Sequence, residues 1–325
     1  MPLFLTEANV RQLLDMPTAL AALERAHCAL SLGRANDVPR QRTRLPQTAL
    51  HILQGALPAE DAIGYKVYTS NRSGVRSLVH LYSASSGRLR AVIEAEHLGV
   101  LRTSAASGLA TRCLAKPEAS IAGVFGAGLQ AAGHLEALAA VRPLQLIKVY
   151  ARNQERLALF CHNMTARLNI PVIASASAEA TVRDSAIVST LTTSASPLFN
   201  AEWLAPDAHI NAAGANSLIR RELGEDVLKR CRIIVVDAVD TALREAGDLL
   251  PWLEKGRLQA RQLVELGDLL SGRHHAANAT SGETAVGVSL FESQGMAIQD
   301  LALAVQLEAR ARAQGIGAEL PYGQV

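Results

Sequence analysis

The stretch Ile121-Ala122-Gly123-Val124-Phe125-Gly126-Ala127-Gly128-Leu129-Gln130-Ala131 decides the fold. An apolar run typical of a buried strand leads directly into two glycines, and a helical pattern opens at Gln130 and continues through Val141. In a dinucleotide-binding turn the first glycine permits the bend, the second admits a pyrophosphate, and a small third residue, here Ala131, lets helix and strand pack closely. The phosphates then lie at the positive helix N-terminus. A glycine turn without a ligand is the alternative interpretation.

Strands and helices alternate after this point. The candidate strands are Ser120–Phe125, Leu146–Tyr150, Val172–Ala174, Ser185–Ser189, His209–Ala212 and Ile233–Asp237, with helical patterns in most of the gaps. Such alternation predicts a parallel sheet with right-handed crossovers. We therefore expect a Rossmann-type α/β domain over residues 116–289.

The segment before it has a different character. A helical pattern from Met16 to Leu32 is followed by short β-type runs as far as about Ala95, and a helix is expected from about Leu98 to Leu114. A long helical pattern, rich in Ala, Leu and Gln, runs from about Leu290 to Gly315. It would pack either on the first domain or on a second subunit. The prediction is an α+β domain over residues 1–115 with 290–325.

Composition narrows the class of protein. The chain has 325 residues, is 49% hydrophobic and carries a formal net charge of +2, so we expect no nucleic-acid partner, because such binding needs a concentrated basic surface. The four cysteines form no C-x-x-C pair, which argues against a zinc site or disulfide framework, and no metal is expected. Neither a signal peptide nor a membrane span is visible in the sequence, and a cytoplasmic protein without membrane association is expected.

The end of the second candidate strand addresses the choice of dinucleotide. NAD-binding sites usually place Asp or Glu there to bind the ribose hydroxyls, but this chain has Tyr150-Ala151-Arg152-Asn153. The planar guanidinium of Arg152 suits a 2′-phosphate. NADP(H) is therefore the preferred cofactor. The alternative is that Arg152 is an ordinary surface residue and that NAD(H) is accepted as well.

Several blocks of sequence resemble the ornithine cyclodeaminase/mu-crystallin family across nearly the whole length. They are Gly64-Tyr65-Lys66-Val67, Leu101-Arg102-Thr103-Ser104-Ala105-Ala106-Ser107, the Gly126 loop, Glu245-Ala246-Gly247-Asp248-Leu249, and Ser293-Gln294-Gly295-Met296-Ala297-Ile298-Gln299-Asp300. The resemblance implies an N-terminal substrate and dimerisation domain, to which the C-terminal helix returns, and a homodimer. It also implies chemistry at the α-carbon of a small amino or imino acid.

The resemblance also implies roles for particular residues. Arg42 and Arg102 would clamp the substrate carboxylate, since a bidentate fork fixes orientation as well as charge; Arg40 and Arg44 flank Arg42 closely enough for this alignment to slip by two. Lys66, within an apolar strand-like run, would bind the carboxylate and assist protonation of the imine nitrogen. Ser77 would lie near cofactor and substrate, or make only a backbone bond. The residues expected to bind the cofactor are Arg102, Thr103, Gly126, Ala127, Gly128, Leu129, Gln130, Arg152, Asn153 and Thr190.

Asn216 departs from the family pattern. Cyclodeaminases and the related alanine dehydrogenases have an aspartate here, and an amide cannot act as a general base. The leading hypothesis is therefore an NAD(P)H-dependent reductase of small cyclic or linear α-imino acids, or the reverse amino-acid dehydrogenation, in which Asn216 orients an imine or a water or is merely a turn residue. One alternative is an NAD-dependent ornithine cyclodeaminase that releases ammonia. Another is an NADPH-dependent ligand-binding protein without turnover.

Overall fold

The computed structural model describes residues 1–274 and 287–322. The chain divides into two compact units: unit 1 comprises Met1–Arg102 and Gly295–Val325, and unit 2 comprises Thr103–Gln294. The described helices are α1 (Glu7–Leu13), α2 (Met16–Ser31), α3 (Glu96–Leu114), α4 (Leu129–Val141), α5 (Gln154–Leu168), α6 (Ala178–Val182), α7 (Glu225–Arg230), α8 (Val239–Glu245), α9 (Leu250–Glu254), α10 (Leu266–Leu270) and α11 (Ala297–Gln314). The boundary at Arg102 falls inside α3.

The described strands form two sheets. They are β1 (Leu3–Leu5), β2 (Asn36–Arg44), β3 (Ala49–Leu57), β4 (Ala62–Asn71), β5 (Gly74–Tyr82), β6 (Leu89–Glu94), β7 (Ile121–Phe125), β8 (Leu146–Tyr150), β9 (Val172–Ala174), β10 (Ile187–Thr190), β11 (His209–Ala212), β12 (Cys231–Val236), β13 (Leu263–Glu265), β14 (Val288–Glu292) and β15 (Ala318–Glu319).

The sheet of unit 1 has the order β15-β1-β6-β5-β4-β3-β2. Its pairs are antiparallel, except that β1 runs parallel to β6. The helix α11 packs across β3, β4 and β5 and beside α2. Its first half is buried almost completely, Asp300 included. The C-terminal segment is thus part of the core of unit 1, and it brings a charged residue into that core.

The sheet of unit 2 has the order β13-β12-β14-β11-β10-β7-β8-β9, and every pair is parallel. Strand order reverses between β7 and β10, and ligands of doubly wound sheets bind at such a switch point, outside the carboxyl ends of the strands. Apolar side chains such as Val124, Leu135 and Ile147 form a buried cluster on one side of β7 and β8. The expected fold class, a Rossmann-type parallel sheet plus an α+β domain, is confirmed.

Two details of the sequence interpretation require correction. The helix expected from about Leu290 begins at Ala297, because Val288–Glu292 form β14, a fully buried strand between β11 and β12. The sequence Val-Ser-Leu-Phe-Glu of β14 lacks the regular alternation of a half-buried strand, and periodicity alone does not separate such a short buried segment from a helix. Strand β2 has polar residues at most positions, so the apolar β-type runs expected before Ala95, which begin at about Leu50, do not include it. Within the described residues no helix is both long and apolar enough to cross a membrane.

Candidate active site

The glycine turn of unit 2 has the geometry that a dinucleotide requires. Gly126 has φ +112°, and a Cβ there would lie 2.9 Å from the carbonyl oxygen of Leu191, which follows β10. Its backbone N–H donates to the carbonyl of Tyr150, at the end of β8. A side chain at residue 126 would therefore disrupt the switch point, where three parallel strands end together.

The N-terminus of α4 is free to receive an anion. Gly128 is the N-cap and makes no side-chain capping bond, a Cβ there would meet nothing within 4 Å, and Leu129 in the first turn is exposed. The first backbone N–H groups of a helix lack intrahelical acceptors and carry partial positive charge. The turn formed by Gly126, Ala127 and Gly128 with Leu129 and Gln130 thus fits the pyrophosphate of a dinucleotide.

The other residues expected to bind the cofactor occupy strand ends and α3. Arg152 and Asn153 are exposed just beyond β8, and the Asn153 side chain caps α5 by accepting from the backbone N–H of Arg156. Thr190 is the last residue of β10 and is buried. Thr103 is half-buried within α3. Arg152 is therefore accessible to a ligand at the second strand of the motif, where ribose selectivity is set.

In unit 1, Lys66 is a buried cation on β4. Its Nζ donates to Oδ1 of Asp300 at 3.0 Å and lies 5.9 Å from the ring centroid of Tyr68. Burial lowers the pKa of Lys66 to about 8; Asp300 opposes this shift, and Arg102 and Arg40 add to it. An ammonium group with a pKa near neutrality can both hold an anion and release a proton.

Arg102 on α3 shares the same carboxylate. Its Nε lies 3.3 Å from Oδ1 of Asp300, and its Nη1 donates to Oε1 of Gln299 at 3.1 Å. The first turn of α11 therefore holds both cations. The family resemblance predicts no individual role for Gln299 or Asp300, although both lie in the block Ser293–Asp300. A carboxylate inside an otherwise apolar helical run was the available signal, since such a group is buried only when it is paired.

The arginines of β2 are separated by an irregularity in its pairing. The register with β3 shifts between Val38 and Gln41, after which Arg42 lies opposite His51. Arg42 is half-buried, whereas Arg40 is buried and lowers the pKa of Lys66. Both arginines, after the larger effect of burial, hold the pKa of His51 at about 4. The structure thus brings Arg40 into the electrostatic environment of Lys66 and places Arg42 beside His51.

Ser77 belongs to a cross-strand row on the sheet of unit 1. Arg42 pairs with His51, His51 with Tyr68, and Tyr68 with Ser77. The rings of His51 and Tyr68 stack with centroids 4.2 Å apart. Ser77 is buried, its backbone carbonyl accepts from Ala95, and it lines a cavity of about 570 Å³ together with Tyr68. Ser77 therefore lies in the wall of a cavity of unit 1.

Asn216 lies in the loop after β11 of unit 2. It is half-buried, and its Oδ1 accepts a long hydrogen bond, 3.5 Å, from Nη1 of Arg220. Close by, the backbone N–H of Gly214 donates to Oε2 of Glu222 at 2.9 Å. The side-chain amide of Asn216 therefore lies in a loop that the carboxylate of Glu222 holds in place, and the amide is uncharged.

Unit 2 also contains buried carboxylates that the sequence interpretation missed. Glu222 Oε1 accepts from the backbone N–H and the hydroxyl of Thr192, each at 2.6 Å, and Asp248 Oδ1 accepts from the backbone N–H groups of Glu222 and Leu223. Glu292, at the end of β14, is completely buried. Burial raises the pKa of Asp248 to about 7, and burial together with Asp248 and Glu222 raises that of Glu292 far above its usual range. Within the described ranges no set of three His, Cys, Asp or Glu side chains is arranged to hold a metal ion.

Comparison with known proteins agrees with this geometry. Residues 1–315 match the model of the ornithine cyclodeaminase/mu-crystallin family. The chain is 31% identical to the ketimine reductase mu-crystallin of Mus musculus over 316 residues, covering 93% of this chain and 95% of the relative.

Two solved structures are similar over nearly the full length. One is Thermococcus litoralis Δ(1)-pyrroline-2-carboxylate reductase in complex with NADH and L-proline, with a TM-score of 0.91, 26% identity, and coverage of 98% of this chain and 100% of that chain. The other is an archaeal alanine dehydrogenase dimer with bound NAD, with a TM-score of 0.91, 28% identity, and 99% of each chain covered.

Proposed function

The chain belongs to the ornithine cyclodeaminase/mu-crystallin family, and from that premise we propose that it is an NAD(P)H-dependent reductase of the C=N bond of small α-imino acids. The single observation that carries the proposal is Lys66: a buried ammonium with a pKa of about 8, held by Asp300 beside the guanidinium of Arg102. This arrangement combines a clamp for a carboxylate with a donor for an imine nitrogen. The relatives that support the proposal are a ketimine reductase and a pyrroline-carboxylate reductase.

The residues of unit 1 would orient the substrate. Arg102, assisted by Arg42 or by the buried Arg40, holds the α-carboxylate, and Lys66 keeps the imine nitrogen protonated so that the adjacent carbon is electrophilic. When bound, the reduced nicotinamide supplies the hydride. The product is an α-amino acid whose new N–H proton comes from Lys66 or from the already protonated imine; the reverse dehydrogenation uses the same groups.

Unit 2 would bind the dinucleotide through the Gly126 turn. We place the pyrophosphate at the N-terminus of α4 and a 2′-phosphate at Arg152, and therefore NADP(H) as the preferred cofactor. The relatives crystallised with NADH or NAD support NAD(H) as the alternative. A homodimer, as in the alanine dehydrogenase relative, and a cytoplasmic location complete the proposal.

Asn216 favours reduction over deamination. A cyclodeaminase needs a base at the reacting amine, and an amide that accepts from Arg220 at neutral pH cannot take a proton. Reduction of a preformed C=N bond makes no such demand. The proposal therefore places Asn216 in an orienting role only.

The test is a panel of cyclic and linear imino acids, including Δ1-pyrroline-2-carboxylate, assayed with NADPH and with NADH. Oxidation of the reduced nicotinamide in stoichiometric amounts with formation of the amino acid is expected, with the lower KM for NADPH. Ammonia release from ornithine without net oxidation or reduction of the cofactor would instead identify a cyclodeaminase. Tight NADPH binding without turnover of any imino acid would identify a ligand-binding protein.

A further inference from the structure

Asp300 links two cations that come from separate elements of unit 1. Lys66 is supplied by β4 and Arg102 by α3, and Oδ1 of Asp300 lies 3.0 Å from the Nζ of the first and 3.3 Å from the Nε of the second. Asp300 has no exposed surface. A fully buried carboxylate remains ionised only beside compensating charge, so the three side chains must be treated as one electrostatic group.

The turn that leads into α11 is shaped around Arg102. Gly295 has φ +82°, and a Cβ there would lie 2.1 Å from Nη1 of Arg102. Gln299 accepts from that same Nη1 and from the backbone N–H of Met296, and its own amide donates to Nε2 of His27 on α2 at 3.1 Å. The position of Asp300 is therefore fixed by the backbone and by Gln299 and is not set by the cations alone.

The charge balance around Lys66 depends on this carboxylate. Burial and two neighbouring guanidinium groups favour the neutral amine, and Asp300 opposes them through both its charge and its hydrogen bond. Without Asp300 the remaining influences, burial and the charges of Arg102 and Arg40, all lower the pKa of Lys66. A neutral Lys66 could not hold a carboxylate by charge or supply a proton to an imine nitrogen.

We infer that Asp300 is the positioning residue of this site: it keeps Lys66 protonated and fixes the orientation of both Lys66 and Arg102 toward the substrate. One of the three N–H bonds of Lys66 is directed at Asp300, which leaves two for a carboxylate or an imine nitrogen. Asp300 acts through the two cations and need not touch the substrate. This inference rests on the proposed function for its kinetic consequence, but its electrostatic part can be measured without any substrate.

The chain offers a direct measurement because it contains only five lysines, Lys66, Lys116, Lys148, Lys229 and Lys255. Protein labelled with 13C at the lysine ε-carbon gives five signals in a pH titration by NMR, and Lys66→Met assigns the signal of interest. In Asp300→Asn the pKa of Lys66 is expected to fall by one unit or more, about a tenfold change in the protonation equilibrium. Asp207→Asn is the matched control, because Asp207 pairs with the exposed Lys116 of unit 2 and raises its pKa. That change should move the signal of Lys116 and leave Lys66 unchanged.

The kinetic readout should follow the titration. Reduction needs protonated Lys66, so the decline of kcat/KM at high pH should move to lower pH in Asp300→Asn by the same amount, and Asp300→Glu should restore part of the difference. A Lys66 pKa within 0.2 units of the wild-type value, about a 1.6-fold change in that equilibrium, would overturn the inference. Should the asparagine variant fail to fold, Asp300→Ser, which also removes the carboxylate, supplies the test: a lowered Lys66 pKa supports the inference and an unchanged one refutes it. A shifted titration in a protein that reduces no imino acid would contradict the proposed function alone.

Discussion

Each of the two units buries a cluster of ionisable side chains, but the cluster of unit 1 combines opposite charges and that of unit 2 combines carboxyl groups. In unit 1, the carboxylate of Asp300 lies between the cations Lys66 and Arg102. In unit 2, burial raises the pKa of Glu222, Asp248 and Glu292; Glu222 adds to the rise at Asp248, and Asp248 and Glu222 add to it at Glu292. The oxygens that accept hydrogen bonds do so from backbone N–H groups and neutral side chains, whereas Oδ2 of Asp248 and Oε2 of Glu292 have no partner among the described residues. The charge of Arg221 exerts a smaller, opposing effect on the pKa of Asp248.

The difference shows how a buried site keeps or gives up its charge. A buried ion beside an opposite charge can remain ionised, whereas a buried carboxyl beside others of its kind takes up a proton. Unit 1 therefore has charges available to act on a ligand at neutral pH. The carboxyl groups of unit 2 accept hydrogen bonds from the loops after β10 and β11, from the backbone N–H of Glu222 and from Gln294 after β14, and through these bonds they contribute mainly shape.

The largest effect is expected when the ion pair between Lys66 and Asp300 in unit 1 is removed. Lys66→Met removes the proton donor while retaining a long apolar stem, and kcat for imine reduction should fall by about 10²- to 10⁴-fold, the usual contribution of a general acid. Steady-state kinetics with NADPH and the best imino acid measure it. The matched control is Lys229→Met, an exposed lysine of α7, which should leave kcat within about twofold. Full activity of Lys66→Met would show that a paired charge in unit 1 has no chemical role.

The second prediction removes a like charge from unit 2. Burial raises the folded-state pKa of Glu292. The contribution of this group to the free energy of unfolding is therefore fully present below the unfolded pKa of about 4.5, and it is lost as the pH rises toward the folded-state pKa. Glu292→Gln does not titrate and retains the oxygen that accepts from Gln294. It should be more stable than wild type at pH 8 by about 2 kcal/mol and nearly equal to it at pH 4.5. Urea unfolding at both pH values measures this; a variant less stable at pH 8 would contradict the comparison.

The third and smallest effect concerns the shape that unit 2 contributes. Glu222→Gln replaces one accepting oxygen by an NH2 group, so either Thr192 or Gly214 loses its acceptor. The loss should be about 1 kcal/mol, seen as a roughly fivefold weaker affinity for NADPH with little change in the pH profile of kcat. Fluorescence titration of NADPH binding checks it. Glu225→Gln, which alters an exposed ion-pair partner of Arg257, should leave that affinity unchanged.

The parallel sheet was predictable from sequence because its signals are local. The Gly126 turn, the apolar strand before it and the helical period after it all lie within about twenty residues, and together they specify one arrangement. Strand β14 was not predictable in the same way. Its five buried residues directly precede the helical pattern of α11, and only their pairing with β11 and β12 identifies them as a strand.

The site was predictable only in part for a related reason. Lys66 and Arg102 lie in recognisable blocks of sequence. The carboxylate that contacts both belongs to Asp300 on α11, and the sequence of that helix does not indicate which residues Asp300 pairs with. The choice between Arg40 and Arg42 depends on a shift of register in β2, which no spacing in the sequence encodes. The partner strand β3 determines where the irregularity in β2 lies, and therefore which of the two arginines faces Lys66.

The return of α11 to unit 1 also sets the order in which the protein is completed during synthesis. Lys66 and Asp300 are 234 residues apart, so a ribosome working at roughly 5–20 residues per second makes the second about 10 to 50 s after the first. During that interval all of unit 2 is synthesised, including β14, whose addition completes the set of strands in its sheet. The unit translated first is thus the last to be completed, and a chain released before Gly295 would contain the whole sequence of unit 2 but a Lys66 without the carboxylate of Asp300.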